Sequence, residues 1–210
     1  MKSLNSNSNH HCISCFDCEI GFKNFSDKWE KHMIEYCSPT LAGIKSANLF
    51  GILYQDKYAL EREVRKLNSS CNAKGVFAKI LTNKSGRALI YVYRKKQLEE
   101  ILNNRLVWEL LYQCGYRNTN TEDILDKLSE RIELSSTFPH EIGIFLGYPY
   151  CDVKGFIEHT GKDLLFCGHW KVYENESKMR KLFEEYDVCK ECYIQKFLNG
   201  MSVTQLTVAV

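Results

Sequence analysis

The segment "VFAKILTNKSGRALIYVY", residues 76–93, constrains the fold of this chain more than any other segment does. It contains two runs in which apolar and polar residues alternate, as they do in strands that have one buried face. The runs flank "TNKSG", in which Asn83 and Gly86 suit a tight turn. The segment therefore predicts a β-hairpin.

Several helices and further strands are predicted around this hairpin. The segments "NLFGILY" and "HWKVY" read as strands, and so does the apolar run within "FPHEIGIFLGYP". Apolar periodicity predicts helices over about 58–75, 96–114, 121–132, 150–161 and 176–198. Because these elements follow one another in mixed order, the sequence predicts an α+β fold with a mainly antiparallel sheet covered by helices.

Composition divides the chain into a polar head and a continuous body. Residues 1–33 are predicted to form a flexible, cysteine-rich N-terminal extension, and residues 34–210 a single core domain. The chain has no apolar run near the ~20 residues of a membrane helix, and its first residues lack the apolar centre of a secretory signal. We therefore expect a cytoplasmic protein with no membrane partner, whose ten cysteines are reduced thiols or metal ligands.

The N-terminal segment "CFDCEIGFKNFSDKWEKHMIEYC" carries a candidate metal site. Cys15, Cys18, His32 and Cys37 follow the ligand order of a Cys-Cys-His-Cys zinc finger, although the spacing is one residue longer than usual. The overlapping segment "CISCFDC" also resembles part of an iron–sulfur ligand run. The alternative is a thiol-rich, loosely ordered tail that binds neither zinc nor an iron–sulfur cluster.

Cys37 is also a candidate nucleophile. Ser38 is a good N-cap and Pro39 a good first helical residue, so a helix is predicted to begin there. Cys37 would then lie at the positive end of the helix dipole, where the pKa of a thiol falls. In a thiol-dependent enzyme, His140 would act as the base and Glu141 would orient it. The alternative is an ordinary small residue before a helix.

Two blocks later in the chain are dense in groups that can bind a ligand. "FPHEIGIFLGYP" and "CGHWKVYENE" contain His140, Glu141, His169, Trp170 and Lys171. If the first block is a strand, His140 and Glu141 point to opposite faces of the sheet, and only one of them can line a given pocket. The "GYP" turn with Tyr148 is expected at the rim of that pocket.

Charge is unevenly distributed along the chain. Between Lys57 and Arg105 there are twelve Lys or Arg residues and four Glu residues, so this basic sector carries +8 and the remainder of the chain −6. Clustered cations of this kind suit phosphate groups, a nucleic acid or a protein partner. The alternative is a solvated face of helices and a hairpin.

Several blocks together resemble a bacterial family, DUF3793. They are "CSPTLAGIKSANLF", "ALIYVYRKKQLEEIL", "FPHEIGIFLGYPYCDVKGFI", "CGHWKVYEN" and "FLNGMSVTQL", and the resemblance spans about residues 34–207. The resemblance implies how the chain is organised but does not imply a reaction. Residues 1–33 look like an addition to the family core. Cys37 belongs to a family block, which weakens the interpretation of this segment as a zinc finger. The resemblance also implies that one set is the best candidate for a shared pocket, namely Cys37, Lys45, His140, Glu141, Trp170 and Lys171.

Three hypotheses follow. The leading one is a protein that binds a small anionic ligand or cofactor in a pocket, with Lys45 and Lys171 as charge partners and with Tyr148, His169 and Trp170 as further ligand-binding residues. The second is the thiol-dependent enzyme described above. The third is a zinc or iron–sulfur module that engages a protein or nucleic-acid partner through the basic sector 57–105.

Overall fold

The computed structural model describes residues 24–135 and 137–209. Its helices are α1 Phe25–Leu41, α2 Lys57–Cys71, α3 Lys95–Leu102, α4 Arg105–Gln113, α5 Thr121–Leu134, α6 Ile142–Phe145, α7 Tyr150–Glu158, α8 Glu176–Leu198 and α9 Val203–Leu206. Its strands are β1 Ala47–Leu53, β2 Val76–Lys84, β3 Arg87–Arg94, β4 Phe166–Cys167 and β5 Lys171–Val172.

The strands form two small antiparallel sheets, which confirms the predicted α+β class. The larger sheet has the order β1-β3-β2, and β4 pairs only with β5. The predicted hairpin is β2 and β3, and its turn uses left-handed backbone at Ser85 and Gly86. Such positive φ angles match the right-handed twist of the two strands, which is why a glycine suits this turn.

Strand β3 lies in the middle of the larger sheet and is buried on both of its faces. Side chains that alternate along it belong to two different cores: Ala88, Ile90 and Val92 to the first, and Leu89, Tyr91 and Tyr93 to the second. Helices α1, α2, α8 and α9 complete the first core, and helices α3 to α7 complete the second. The sheet is therefore the middle layer between two layers of helices.

Helix α1 begins earlier than the sequence predicts. The Asn24 side chain caps it by accepting a hydrogen bond from the Asp27 amide at 3.0 Å, and the helix continues through Pro39 to Leu41. The prediction that Ser38 and Pro39 start a helix is therefore wrong. The Ser38 hydroxyl instead donates to the Ile34 carbonyl one turn back, as serine does inside a helix.

The reason for this difference is an apolar stripe that outweighs local end signals. Trp29, Met33, Cys37 and Leu41 are spaced four residues apart on α1, and all four are buried in the first core. Pro39 has no N–H to donate within the helix, and burial of the apolar stripe outweighs the loss of that hydrogen bond. The helix also crosses the predicted domain boundary between residues 33 and 34, and the predicted division into 1–33 and 34–210 stays a prediction.

The predicted strand in "FPHEIGIFLGYP" is also wrong. Residues 139–141 form a turn and lead into the short helix α6, which is closed by a hydrogen bond from the Tyr148 amide to the Gly143 carbonyl at 2.9 Å. Every residue from 141 to 146 is buried, and a short apolar run that is buried all round has no periodicity to separate strand from helix. Gly143 lets α6 approach α7, since a Cβ atom there would lie 2.7 Å from Val153 Cγ2.

The other elements agree with the sequence, apart from their bounds. The helix predicted over 96–114 is two helices, because Asn104 caps α4 by accepting from the Leu106 amide at 2.9 Å. Helix α2 ends in a 3-10 turn closed by left-handed Gly75, near the predicted end. None of the helices in the described part of the chain is long and apolar enough to cross a membrane.

A single buried arginine joins distant parts of the first core. Arg94 at the end of β3 is 2% exposed and donates to the carbonyls of Thr40, Leu41, Lys74 and Val208, at 2.7, 2.7, 3.3 and 2.9 Å. Burial lowers the pKa of Arg94 from its ordinary value. These bonds hold together the end of α1, the turn before β2 and the C-terminal segment.

We expect the substitution Arg94→Met to lower the free energy of unfolding by about 3–5 kcal/mol, because it leaves several buried carbonyls without a donor. Urea denaturation followed by circular dichroism would measure the loss. Arg87→Met is the matched control, since Arg87 is the exposed arginine at the other end of β3, and a change within about 0.5 kcal/mol is expected there. Equal losses in the two variants would contradict this role of Arg94.

Candidate functional site

A cavity of about 470 Å³ lies between α6, α7 and the turn that joins β4 to β5. Three segments form its walls: residues 138–148, 152–156 and 168–171. Its apolar lining residues are Phe138, Pro139, Ile142, Leu146, Tyr148, Val153, Phe156 and Trp170, and its polar ones are His140, Asp152, His169 and Lys171. The cavity thus combines an apolar interior with a few polar groups, as small-molecule sites do.

Trp170 lines the cavity and is packed tightly into its wall. Its ring stacks on Tyr148 with centroids 4.4 Å apart and an interplanar angle of 21°. Behind it, Phe183 of α8 meets the same ring edge to face at 4.4 Å. Gly168 permits this packing, since a Cβ atom at that position would lie 2.3 Å from Phe183. Trp170 is therefore held rigidly in the wall.

The carboxylate of Asp152 fixes this wall to α7. Its Oδ2 atom accepts a hydrogen bond from Trp170 Nε1 at 2.8 Å, and its Oδ1 atom accepts from the backbone amides of Tyr173 and Glu174 at 2.8 and 3.2 Å. Asp152 is itself buried, so these donors satisfy a charge that water does not reach. Asp152 does not stand out in the sequence, because an acidic residue in the first turn of a helix is ordinarily explained by the helix dipole.

Lys171 and His140 both lie beside the Phe156 ring. The Lys171 Nζ atom is 5.5 Å from the ring centroid and donates to the Gly161 carbonyl at 2.9 Å. The His140 ring meets Phe156 edge to face at 5.0 Å, and His140 is exposed. This side of the cavity therefore presents one cation and one imidazole to a bound molecule.

His169 lies on the opposite side, beside α8. Its Nε2 atom is 3.0 Å from Asp187 Oδ1. Burial lowers the pKa of His169, the Asp187 carboxylate opposes that change, and the charge of Lys45 adds to it. The residue is therefore a neutral imidazole over more of the neutral pH range than a free histidine is.

Lys45 lies one layer behind the cavity wall and does not line the cavity. It is 8% exposed, and its Nζ atom lies 5.6 Å from the centroid of the Tyr148 ring and 5.7 Å from that of Tyr186. Burial lowers the pKa of Lys45 to about 8, and nearby Cys37 opposes the change. This position therefore combines burial, two aromatic contacts and a lowered ammonium pKa.

Five of the residues predicted from the sequence thus line one cavity, namely His140, Tyr148, His169, Trp170 and Lys171. Glu141 does not line this cavity. It accepts hydrogen bonds from Arg131 Nε and from Tyr116 Oη, and the bond from Arg131 connects α6 to α5. The prediction that only one of His140 and Glu141 can line a given pocket is wrong, because this segment is not a strand and both residues line a second cavity beside α5.

Cys37 does not have the environment that the sequence predicts for it. It lies in the last turn of α1, not before the first turn of a helix, and it is fully buried in the first core. Burial raises the pKa of the Cys37 thiol far above its ordinary value, and the charge of Lys45 only partly opposes this. A buried thiol that keeps its proton packs as a small apolar group.

Half of the predicted metal ligands lie outside the described residues, namely Cys15 and Cys18. His32 lies on α1, is buried, and places Nδ1 2.8 Å from the Lys28 carbonyl while its ring packs against Phe50 at 5.9 Å. Within residues 24–135 and 137–209, no group of three or more His, Cys, Asp or Glu side chains is arranged to hold a metal ion. The zinc or iron–sulfur site stays a prediction.

The basic sector 57–105 does not form one uniform surface. Arg94 is buried, and Lys74 donates to the Thr204 and Thr207 carbonyls at 2.6 and 2.9 Å. Lys79 pairs with Glu122 and Asp126 of α5 at 3.1 and 2.8 Å. Several of its cations therefore serve the fold.

The family model described as "Protein of unknown function (DUF3793)" matches residues 33–207, which confirms the resemblance found in the sequence blocks. No curated protein and no solved structure shows significant similarity to the chain.

We expect Cys37 to resist iodoacetamide in the native protein up to pH 9, because it is buried and its pKa is raised. Exposed Cys167 and Cys192 are the internal controls and should be alkylated under the same conditions. Peptide mass spectrometry would locate the label, and Cys37 should react once the chain is unfolded in urea. Alkylation of Cys37 in the native protein at neutral pH would contradict this expectation and would support the thiol-enzyme hypothesis.

We expect Asp152→Asn to lower the free energy of unfolding by about 2–3 kcal/mol, because the asparagine NH2 group would face a donor that the carboxylate now binds. The fluorescence of Trp170 should shift to longer wavelength as the indole gains water. Asp163→Asn is the control, since Asp163 is exposed and asparagine tolerates its left-handed backbone. If Asp152→Asn changed neither the free energy of unfolding nor the fluorescence, the wall would not depend on the Asp152 carboxylate.

Proposed function

We propose, for a chain that belongs to the DUF3793 family, that the cavity binds a small organic ligand or cofactor with a flat apolar body and one anionic group. The observation that carries the proposal is the convergence of two distant sequence blocks, 138–148 and 168–171, on one cavity of about 470 Å³. Its volume falls in the range of about 300–1,000 Å³ typical of small-molecule sites.

The shape of the walls favours a flat, apolar body. Tyr148, Phe156 and Trp170 line the cavity, and the Tyr148 and Trp170 rings stack on each other with centroids 4.4 Å apart. Aromatic walls gain most from ligands that bury a planar surface against them. Since Trp170 is already held by Asp152 and Phe183, little side-chain freedom is lost when such a ligand binds.

The charges around the cavity favour an anionic group. Lys171 lines the cavity, Lys45 lies one layer behind it, and His140 and His169 can each donate a hydrogen bond. The acidic residue in the lining, Asp152, already accepts hydrogen bonds from Trp170 and from two backbone amides. A carboxylate or phosphate on the ligand would therefore meet donors and cations.

The other two hypotheses have less support. A nucleophilic Cys37 requires a thiolate, whereas burial raises the pKa of that thiol. A metal-dependent or nucleic-acid-binding module would depend on Cys15 and Cys18, which lie outside the described residues, and on basic residues of which several already pair within the fold. Both hypotheses, and a cytoplasmic location, stay predictions from the sequence.

We expect Lys171→Gln to weaken the binding of aromatic carboxylates about tenfold, which corresponds to about 1.4 kcal/mol, and to leave the binding of the matching amides unchanged. Quenching of tryptophan fluorescence by para-carboxybenzyl alcohol and by para-carbamoylbenzyl alcohol would measure both affinities. Lys154→Gln is the matched control, because Lys154 on α7 pairs with Glu158 and does not line the cavity.

Two results would contradict the proposed function. The first is that the carboxylate and the amide bind the native protein equally well, which would show that the cavity does not select for an anionic group. The second is that neither gives saturable quenching. Mass spectrometry of small molecules released from the purified protein by heat would identify the natural ligand directly.

A further inference from the structure

The two outer strands of the larger sheet differ in how their edges are protected. In β2, the Asn68 side chain of α2 accepts from the Ala78 amide at 2.7 Å and donates to the Ala78 carbonyl at 2.9 Å, so it occupies two backbone groups that a further strand would use. Strand β2 also carries Lys79 and Lys84 and has a shift in its register with β3. Charged side chains, bulges and covering elements are the usual means by which edge strands avoid pairing with other chains.

Strand β1, the other outer strand, is less protected. Its seven residues, Ala47–Leu53, are uncharged and include no proline. Leu53 is 40% exposed. Gly51 is partly exposed although it has no side chain, so part of its backbone reaches the surface. The second half of β1 is therefore open to a partner along its outer edge.

The register of β1 shows which of its backbone groups point outward. The Arg94 amide donates to the Ser46 carbonyl and the Tyr54 amide to the Gly86 carbonyl, each at 2.8 Å, at the two ends of the β1–β3 pairing. Opposed residues of an antiparallel pair alternate between bonded and non-bonded, so the even-numbered residues of β1 bond to β3. The odd-numbered residues direct their N–H and C=O groups away from the sheet.

Three of these odd-numbered residues lie in the open half of the strand, namely Leu49, Gly51 and Leu53. The Leu53 carbonyl accepts a hydrogen bond from Lys28 Nζ at 3.3 Å. Within residues 24–135 and 137–209, no hydrogen bond reaches the N–H or C=O groups of Leu49 and Gly51. An extended segment beside β1 would therefore meet a row of backbone donors and acceptors with the spacing of a sheet.

Arg87 adds a positive charge to this edge. Its guanidinium lies over Gly51, since a Cβ atom at that glycine would be 3.3 Å from both Arg87 Nε and Arg87 Nη2. Arg87 is exposed, and no side chain in the described part of the chain forms an ion pair or a hydrogen bond with it. Because Gly51 has no side chain, a carboxylate on an added strand has room to reach this guanidinium.

We propose that the outer edge of β1 binds an extended segment of a protein partner as an additional antiparallel strand, with an aspartate or glutamate of that segment opposite Gly51 and paired with Arg87. The residue opposite Gly51 points to the same face as Arg87, and its two neighbours point to the face of Phe50 and Ile52. Since the first core lies on that face, apolar residues suit these two positions. The partner segment thus alternates apolar and acidic residues.

Fluorescence anisotropy on the full chain tests the proposal. The labelled probe is the peptide Thr-Val-Thr-Val-Glu-Val-Thr-Val-Thr, and the control peptide has Gln in place of Glu. We expect the Glu peptide to bind the native protein about tenfold more tightly than the Gln peptide. Arg87→Met should remove this difference. Arg105→Met should keep it, because Arg105 is an exposed arginine of α4 that pairs with Glu109.

Hydrogen exchange measured by NMR gives a second test that needs no substitution. When the Glu peptide binds, the amide hydrogens of Leu49, Gly51 and Leu53 should exchange at least tenfold more slowly. The amides of Phe50 and Ile52 are the internal controls, because they bond to β3 and should exchange slowly with and without the peptide. This alternation along one strand distinguishes strand addition from binding elsewhere on the surface.

Several results would overturn the proposal. They are failure of the Glu peptide to bind, equal affinity of the two peptides for the native protein, and unchanged exchange at the three odd-numbered amides. A dimer found by sedimentation velocity that protects the same amides without peptide would show that a second copy of the chain occupies the edge. Because the cavity is lined by residues 138–171, each of these results leaves the proposed function standing.

Discussion

The burial of strand β3 on both faces is the constraint on which the rest of the structure depends. The side chains of β3 enter one apolar core on one face of the sheet and a second core on the other face. Both faces of this three-stranded sheet must therefore be covered by other elements. The helices before and after the hairpin therefore divide between the two faces. Arg94, where β3 ends, then fastens the first core by donating to carbonyls from three separate parts of the chain.

The cavity lies at the margin of this layered core, and a separate set of packing contacts holds its walls in place. Trp170 belongs to a third, smaller cluster that packs β4 and β5 against the first half of α8. Tyr148 connects that cluster to the second core, because it packs against both. The candidate site is thus placed by packing between two clusters, and the two-residue strands β4 and β5 contribute little backbone pairing to it.

Much of the fold can be predicted from the sequence where a long periodic pattern decides the structure. The hairpin, helix α2 and helix α8 are such cases, since alternation or a helical stripe extends over many residues in each. Around Pro39 a local end signal conflicts with the stripe from Trp29 to Leu41, and burial of the stripe determines the outcome. The segment around α6 gives no periodic signal, because all its residues are buried.

The candidate site was predictable in part. The two sequence blocks that are dense in polar and aromatic residues meet in the structure, since His140, Tyr148, His169, Trp170 and Lys171 line one cavity. Which of these neighbours turn inward depends on tertiary contacts. Glu141 is drawn to Arg131, Cys37 packs in the core, and Asp152 acquires its role only from donors about twenty residues later in the chain.

The concentration of three hydrogen bonds on Asp152 has a consequence for how stability is distributed in this molecule. The wall that carries Trp170 has three hydrogen bonds to the Asp152 carboxylate of α7, whereas β3 is paired with a neighbouring strand along each of its edges. Local opening of the wall therefore costs less free energy than unfolding of the sheet. The Tyr173 and Glu174 amides should therefore exchange their hydrogens through this partial opening, while the layered core stays folded.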